Sequence, residues 1–369
     1  MEDKKIRYVF SSGREEKLNN PSYAKEFFYG YDFFKDRVKD VNFIEYKTNK
    51  NILLNITDKI LRKISNLPFY FEISHTRSNK SELKDSDLIV FTNERLALGS
   101  LFMLKKIKKK YETKSVMICM GLFGKKTKNI ISLNIQKLVI NKLIREIDII
   151  VFLSKTEKEI ALKKFPTFHK KYFYIPFCVD SEFWVNEIST TKKNNILFIG
   201  NDGKRDYKKV IQLAKELEDY NFTFITSKIS ENEILSPNVE LIKGHWNLSE
   251  LTDLEMKKYY SSAQLSLIPL IDNLQPSGQS VALQSMSMKV PILISKTKGF
   301  WDFENFQNNK HLIFIENNSV EDWVKEIKSI LRDDEKREKI KSNSRALIEE
   351  KFNLSVFNNE LNRLISLLN

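Results

Sequence analysis

ILFIGNDGKRDY, residues 196–207, is an apolar run, a tight turn and a helix start within twelve residues. An apolar run without polar alternation suits a strand buried on both faces, as in a parallel sheet. Parallel strands need a crossover, usually a helix, so the pattern should recur. Downstream, strands are predicted at Phe222–Thr226, Val239–Ile242, Gln264–Pro269, Pro291–Ser295 and His311–Ile315. Helical patterns fit Tyr207–Asp219, Asp253–Ser262, Gln279–Lys289 and Val320–Leu331. Two charged helices, about Glu335–Phe352 and Ser355–Leu368, follow. Thr252 and Glu255 have capping-box spacing.

The same alternation runs upstream. Strand candidates are Arg7–Ser11, Val41–Tyr46, Leu88–Thr92, Ser115–Met120, Asp148–Leu153 and Tyr172–Ile175. Helices are predicted near Lys25–Arg37, Leu96–Lys109 and Ile130–Glu146, and Ser154 with Glu157 forms a second capping-box pattern. Residues 185–195, VNEISTTKKNN, are polar and aperiodic, as a linker would be. The expected class is therefore α/β, with two Rossmann-like doubly wound domains, residues 1–184 and 185–354. A helix at about 355–369 is expected to pack back on the first. Ligands of such sheets bind beyond the strand C-terminal ends, here expected to face a central cleft.

A length of 369 residues suits two domains, and 41% hydrophobic with 30% charged residues suits a soluble protein. The net charge of +13 points to anionic partners or to a solvated lysine surface. Lysines crowd the segment Lys105–Lys110, a candidate for peripheral contact with anionic lipid. Cys119 and Cys178 are far apart and the four histidines lack ligand spacing, so neither a disulfide framework nor a metal site is expected. No zinc-finger, RNP-like or helix-turn-helix pattern supports nucleic-acid binding. The start, MEDKKIRYVF, lacks a signal-peptide apolar region, and no run approaches ~18 apolar residues. The expected location is cytoplasmic, peripheral at the inner face of the membrane. The aromatic run Phe27–Phe34 reads as core, with some rings available to an acceptor groove or lipid.

Three segments carry candidate chemistry. In the opening stretch, Gly200 and Gly203 would let the backbone approach a ligand, and Lys204 and Arg205 would meet a diphosphate. The alternative is a βα turn with solvated cations. In PSGQSVALQSMSMKVPILIS, residues 276–295, Ser277 would cap a helix beginning at Gly278 or Gln279. Its N–H groups would suit a phosphate or sugar oxygen, beside polar Gln279, Ser280 and Gln284. IPFCVDSEFW, residues 175–184, reads as a hinge packed by Phe177, Phe183 and Trp184.

In order and spacing, these segments and HLIFIENNSVEDWVKEI (311–327) resemble the GT-B glycosyltransferases, in particular the retaining family 4 (group 1) enzymes. The resemblance covers about half the chain. It implies transfer of a sugar from a nucleotide-diphosphate donor to a glycan or lipid-linked acceptor, in surface polysaccharide or glycolipid synthesis, with no tightly bound cofactor. It assigns leaving-group stabilisation to Arg205 and Lys204. It places Gly200, Asn201, Ser277, Gly278, Gln279, Ser280 and Gln284 at the donor, and His245 with Trp246 at the base. Ser12, Gly13 and His75 become acceptor or cleft candidates. The chain departs from the family pattern twice: Gln284 replaces the glutamate that usually holds the ribose hydroxyls, and Gln275-Pro276 replaces an earlier glutamate. A nucleotide-sugar epimerase and a catalytically degenerate scaffold therefore stand as alternatives.

Overall fold

The computed structural model describes residues 3–47, 51–74, 76–127, 129–186, 195–234, 236–244 and 251–368. The chain divides into two compact units. The first comprises Met1–Asn20, Phe27–Pro176 and Phe357–Asn369; the second comprises Pro21–Glu26 and Phe177–Val356. Most of the 185–195 linker lies outside the described residues.

The first unit runs β1 (Lys5–Ser11), α1 (Glu15–Leu18), α2 (Tyr31–Lys35), β2 (Asp40–Tyr46), α3 (Ile52–Ser65), α4 (Phe71–Ser74) and α5 (Arg77–Lys84). It continues with β3 (Leu88–Phe91), α6 (Glu94–Lys108), β4 (Lys114–Cys119), α7 (Ile130–Glu146), β5 (Ile149–Phe152), α8 (Lys155–Lys164) and β6 (Tyr172–Tyr174). Its six strands are all parallel, ordered β2-β1-β3-β4-β5-β6. The second unit holds β7 (Asn195–Ile199), α9 (Tyr207–Glu216), β8 (Asn221–Ile225), β9 (Val239–Ile242), α10 (Asp253–Ser262) and β10 (Ala263–Ile268). α11 (Gln279–Ser287), β11 (Ile292–Ser295), β12 (Ile313–Ile315), α12 (Val320–Arg332) and α13 (Asp334–Lys351) follow, and α14 (Leu354–Ser366) passes into the first unit. This sheet is also wholly parallel, ordered β12-β11-β10-β7-β8-β9.

All twelve expected strands are present; most are apolar runs that the sheet buries, whereas the edge strand β9 has no buried residue. In β3, β5 and β11 every residue is buried. The expected helix Lys25–Arg37 is broken. A short 3-10 turn, Glu26–Phe28, is followed by Tyr29 and Gly30, both at positive φ, before α2 begins. A Cβ on Gly30 would lie 3.1 Å from Asn358 Oδ1 of α14, so glycine serves both the turn and the close helix packing. Phe28, Tyr31 and Phe34 are buried against Tyr8 and Phe10, which makes that part of the aromatic run core. α3 was not expected from the sequence. Its apolar residues do not form a single inward stripe.

The two capping boxes differ. Thr252 and Glu255 form one at α10. Ser154 caps α8, but Glu157 does not reach back. Its buried carboxylate instead accepts from the backbone N–H of Gly121 (2.7 Å) and Phe123 (2.9 Å), with the Cys119 thiol 3.4 Å away. Burial, reinforced by repulsion from Glu94, pushes its pKa up to about 7. Two buried amides are worth more than one cap. Glu157→Ala should therefore destabilise the first unit by about 2–4 kcal/mol, read by circular dichroism in urea. A loss below about 0.5 kcal/mol would mean that the turn finds other partners.

Candidate functional site

The C-terminal edge of the second sheet gathers the candidate residues. β7 ends in Gly200, after which the chain turns back. The turn is pinned to the segment after β10 by Asp206 N–H to Pro269 O (2.9 Å) and Ile271 N–H to Lys204 O (2.9 Å). Arg205 is only 4% exposed. Its Nε donates to Ile199 O (3.3 Å) and its Nη1 to Asp202 Oδ2 (2.9 Å), while Nη2 has no partner among the described residues. A Cβ on Gly200 would sit 2.6 Å from Arg205 Cγ, so the bare backbone makes room for this side chain. A Cβ on Gly278 would sit 3.7 Å from Arg205 Nη1. Two sequence segments more than seventy residues apart thus meet at one guanidinium. Lys204 is half-buried, and its Nζ has no partner among the described residues.

α11 starts here, but not as expected. Gly278, not Ser277, is the N-cap, at φ +80, and no side chain caps the helix. Ser277 Oγ turns back toward Gln275 O at 3.5 Å. Gly278 is required twice over: by its positive φ, and because a Cβ would lie 2.6 Å from Ile268 Cγ2. Gln279 and Ser280 are half-buried at this helix start. Gly203, by contrast, has open space around it and no positive φ, so no close approach depends on it.

Asn201 is a staple. Its Nδ2 donates to Gly244 O (2.6 Å), and its Oδ1 accepts from Ser227 N–H (2.6 Å) and Ser227 Oγ (3.0 Å). It joins the ends of β7, β8 and β9. Asn318, at φ +54, performs the same service on the other flank. Its Oδ1 accepts from Ser295 Oγ (2.8 Å) and Trp323 Nε1 (2.9 Å), its Nδ2 donates to Leu270 O (3.2 Å), and Lys209 Nζ donates to its carbonyl. The sequence reading missed Asn318. Its signal was an asparagine just before the helix α12, where a left-handed residue ends a strand turn.

Gln284 is 1% exposed and fully engaged. Tyr260 Oη donates to its Oε1 (3.0 Å), and its Nε2 donates to Glu26 Oε1 (3.0 Å). Trp184 Nε1 donates to the same Glu26 oxygen (2.9 Å), and Asp180 N–H reaches Oε2 (3.3 Å). Glu26 is thus a buried carboxylate within the second unit, 258 residues from its amide partner. Sequence reasoning did not single it out, since nothing local marks it. Trp184 and Phe177 are buried, as the hinge reading expected, and Phe183 is half-buried.

The remaining candidates lie elsewhere. His75, His245 and Trp246 fall outside the described residues. Ser12 and Gly13 form the turn after β1, with Gly13 at φ +85. The helix after that turn is already served by Glu45, whose Oε1 accepts from the N–H groups of Arg14 and Glu15. Within Lys105–Lys110, Lys108 turns inward to Asp148 and Glu146 O, so it leaves the exposed basic patch.

Residues 180–347 match the family described as glycosyl transferases group 1. The matched segment is somewhat less than half of the chain. It contains Arg205, the Gly278 cap and Asn318. No curated protein matches the sequence. Solved structures similar to the chain include HepE from Anabaena in complex with UDP-glucose, at 11% identity over 98% of this chain and 99% of HepE, with TM-score 0.68. The sucrose-phosphate synthase of Thermosynechococcus elongatus matches at 12% identity over 99% of both chains, with TM-score 0.69. A putative UDP-N-acetylglucosamine 2-epimerase from Listeria monocytogenes matches at 13% identity over 98% and 96%, with TM-score 0.58. At these identities the likeness concerns the fold, which is that of GT-B glycosyltransferases.

Glu26 gives the site a pH signature. Burial pushes its carboxyl from 4.5 up to about 7, against the opposing bonds from Gln284 and Trp184. The folded domain then holds this proton longer than the unfolded chain does. The associated stability is full below about pH 4.5 and is lost as pH rises through 7. Glu26→Gln should flatten a decline of roughly 3 kcal/mol across that window. All four tryptophans fall within residues 177–356, so intrinsic fluorescence during urea unfolding reports this unit. Parallel pH curves for the two proteins would show that Glu26 does not titrate there.

Proposed function

We propose that the protein transfers a hexosyl unit, with retention, from a nucleoside diphosphate sugar to a glycan or lipid-linked acceptor in surface polysaccharide or glycolipid synthesis. One observation carries the donor half of this reading. Arg205 and Lys204, whose Nη2 and Nζ have no partners among the described residues, stand beside the start of α11, which no side chain caps, in a segment that matches the group 1 glycosyltransferases. That grouping is a receptor for two negative charges. UDP in the similar HepE structures makes a uridine diphosphate the first donor to test.

Breaking the bond between sugar and phosphate builds charge on the departing diphosphate. Cations and amides already aimed at that charge stabilise the transition state more than the ground state. Arg205 would serve as a fork held by Ile199 O and Asp202, and Lys204 as a mobile point charge. Gly200, Gly278, Gln279 and Ser280 would let phosphate and sugar oxygens approach, and Ser277 would border them. Asn201 would shape the donor pocket without touching the ligand. Gln284 would act from behind α11, since its amide is consumed by Tyr260 and Glu26. His245 and Trp246 are assigned to the base. The first unit is assigned the acceptor, with Ser12, Gly13 and His75 as its candidates.

UDP should raise the unfolding transition of the second unit, by about 2.7 kcal/mol at a hundredfold excess over its dissociation constant. Lys204→Ala should weaken UDP binding on the order of tenfold while leaving stability unchanged, since it removes one charge-assisted contact. Arg205→Ala should weaken it further. Undiminished UDP affinity in both variants would remove the phosphate assignment. Product analysis separates the alternatives: an epimerase leaves the altered sugar on its nucleotide, and a degenerate scaffold binds without turnover.

Gly200→Ala tests the packing that places the cation. The new Cβ would displace Arg205, so donor turnover should fall at least about tenfold with the fold retained. Full turnover in Gly200→Ala would mean that Arg205 can act from another position.

A further inference from the structure

No helix among the described residues is long and apolar enough to cross a membrane. One helical layer of the first unit nevertheless presents an apolar and basic surface. α6 and α7 bury their inner sides in one core cluster, and α3 packs against it through half-buried Leu61. Outward, α3 shows Ile52 (73% exposed), Leu53 (78%), Ile56, Ile60 and Ile64. Ile52, Ile56, Ile60 and Ile64 recur every fourth residue, which makes one stripe along the helix. α7 adds exposed Ile130, Ile131 and Leu138, and α6 adds Phe102. These nine are most of the large apolar side chains that are exposed among the described residues.

The charge on these helices has one sign. Lys59, Lys63, Lys105, Lys106, Lys137 and Lys142 are exposed. The acids are not: Asp58 and Glu94 are buried and Glu146 is half-buried. Next to Phe102 lies a cavity of about 240 Å³ lined by Thr76, Arg77, Lys80, Met103 and Lys106. Three cations around a small cavity suit one phosphate.

We propose that this face of the first unit lies on an anionic lipid bilayer. The isoleucine stripe of α3 would enter the interfacial region, and the Arg77–Lys80–Lys106 cavity would hold a headgroup phosphate. Aliphatic side chains flanked by lysines match that environment, because lysine stems can lie along apolar surface while their charges reach the headgroups. A protein partner fits less well, since protein interfaces are depleted in lysine and enriched in aromatic residues. This goes beyond the Lys105–Lys110 patch, because α3 adds apolar insertion to the attraction of the lysines for anionic headgroups. It is independent of the donor chemistry, so it can fail or stand without turnover being measured.

The test is flotation of the full chain with phosphatidylcholine vesicles, with and without phosphatidylglycerol. The wild-type protein should float with the anionic vesicles and not with the neutral ones. The double variant Ile56→Glu/Ile60→Glu should lose at least about tenfold in partitioning, and Lys59→Glu/Lys63→Glu should lose a comparable amount. Both pairs are exposed, so the unfolding midpoint should not move. Absence of wild-type flotation, or flotation undiminished in the isoleucine variant, overturns the proposal. So does light scattering that shows a wild-type dimer converted to monomer by the isoleucine variant, because a second copy would then cover the face.

Discussion

Parallel pairing governs this protein. A parallel strand cannot hairpin to its neighbour, so every connection crosses over and a helix that directly follows a strand starts at the same edge of its sheet. Both sheets therefore collect turns, glycines and helix N-termini along one side. The backbone N–H groups there need acceptors, and their dipoles favour negative charge. What each unit does with that edge decides where chemistry can occur.

The first unit satisfies much of its edge internally. Glu45 serves the amides after β1, Glu94 accepts from Met120, and Glu157 accepts from Gly121 and Phe123. Its own carboxylates stand where an anion could otherwise bind. The second unit caps α9, α10 and α12 with Asp206, Thr252 and Ser319 but leaves the start of α11 without a side-chain cap. α11 begins at a bare left-handed glycine, and Arg205 and Lys204 beside it keep donors without partners among the described residues. Asn201 and Asn318 tie the flanking strand ends, so the open site is held in a rigid frame. On the proposed donor reading, a preorganised site of this kind would need little rearrangement to receive a diphosphate.

Glu26 belongs to the same logic at a deeper level. The chain enters the second unit for Pro21–Glu26 and then returns to the first. Its carboxylate meets the amide of Gln284 and the indole of Trp184 out of contact with water. An acid at position 284 would face Glu26 as a second buried carboxylate, and two such charges at 3 Å are strongly unfavourable. The glutamine is thus a fitted partner of Glu26.

The sequence alone determined the strands, their parallel arrangement and the two-fold repetition of the α/β pattern. Those features rest on unbroken apolar runs and local helix periodicity, which a linear reading detects. It also located Arg205, Lys204 and the Gly278 helix start, because glycines and cations after a buried strand are local signals. Only the tertiary structure decided which residue caps α11, that Glu157 holds a turn instead of its own helix, and that Gln284 answers Glu26. It alone showed that α3 faces outward with its isoleucines. Each of these depends on partners remote in sequence or on which side of a helix meets the core, and burial is a property of the packed chain, not of the residue.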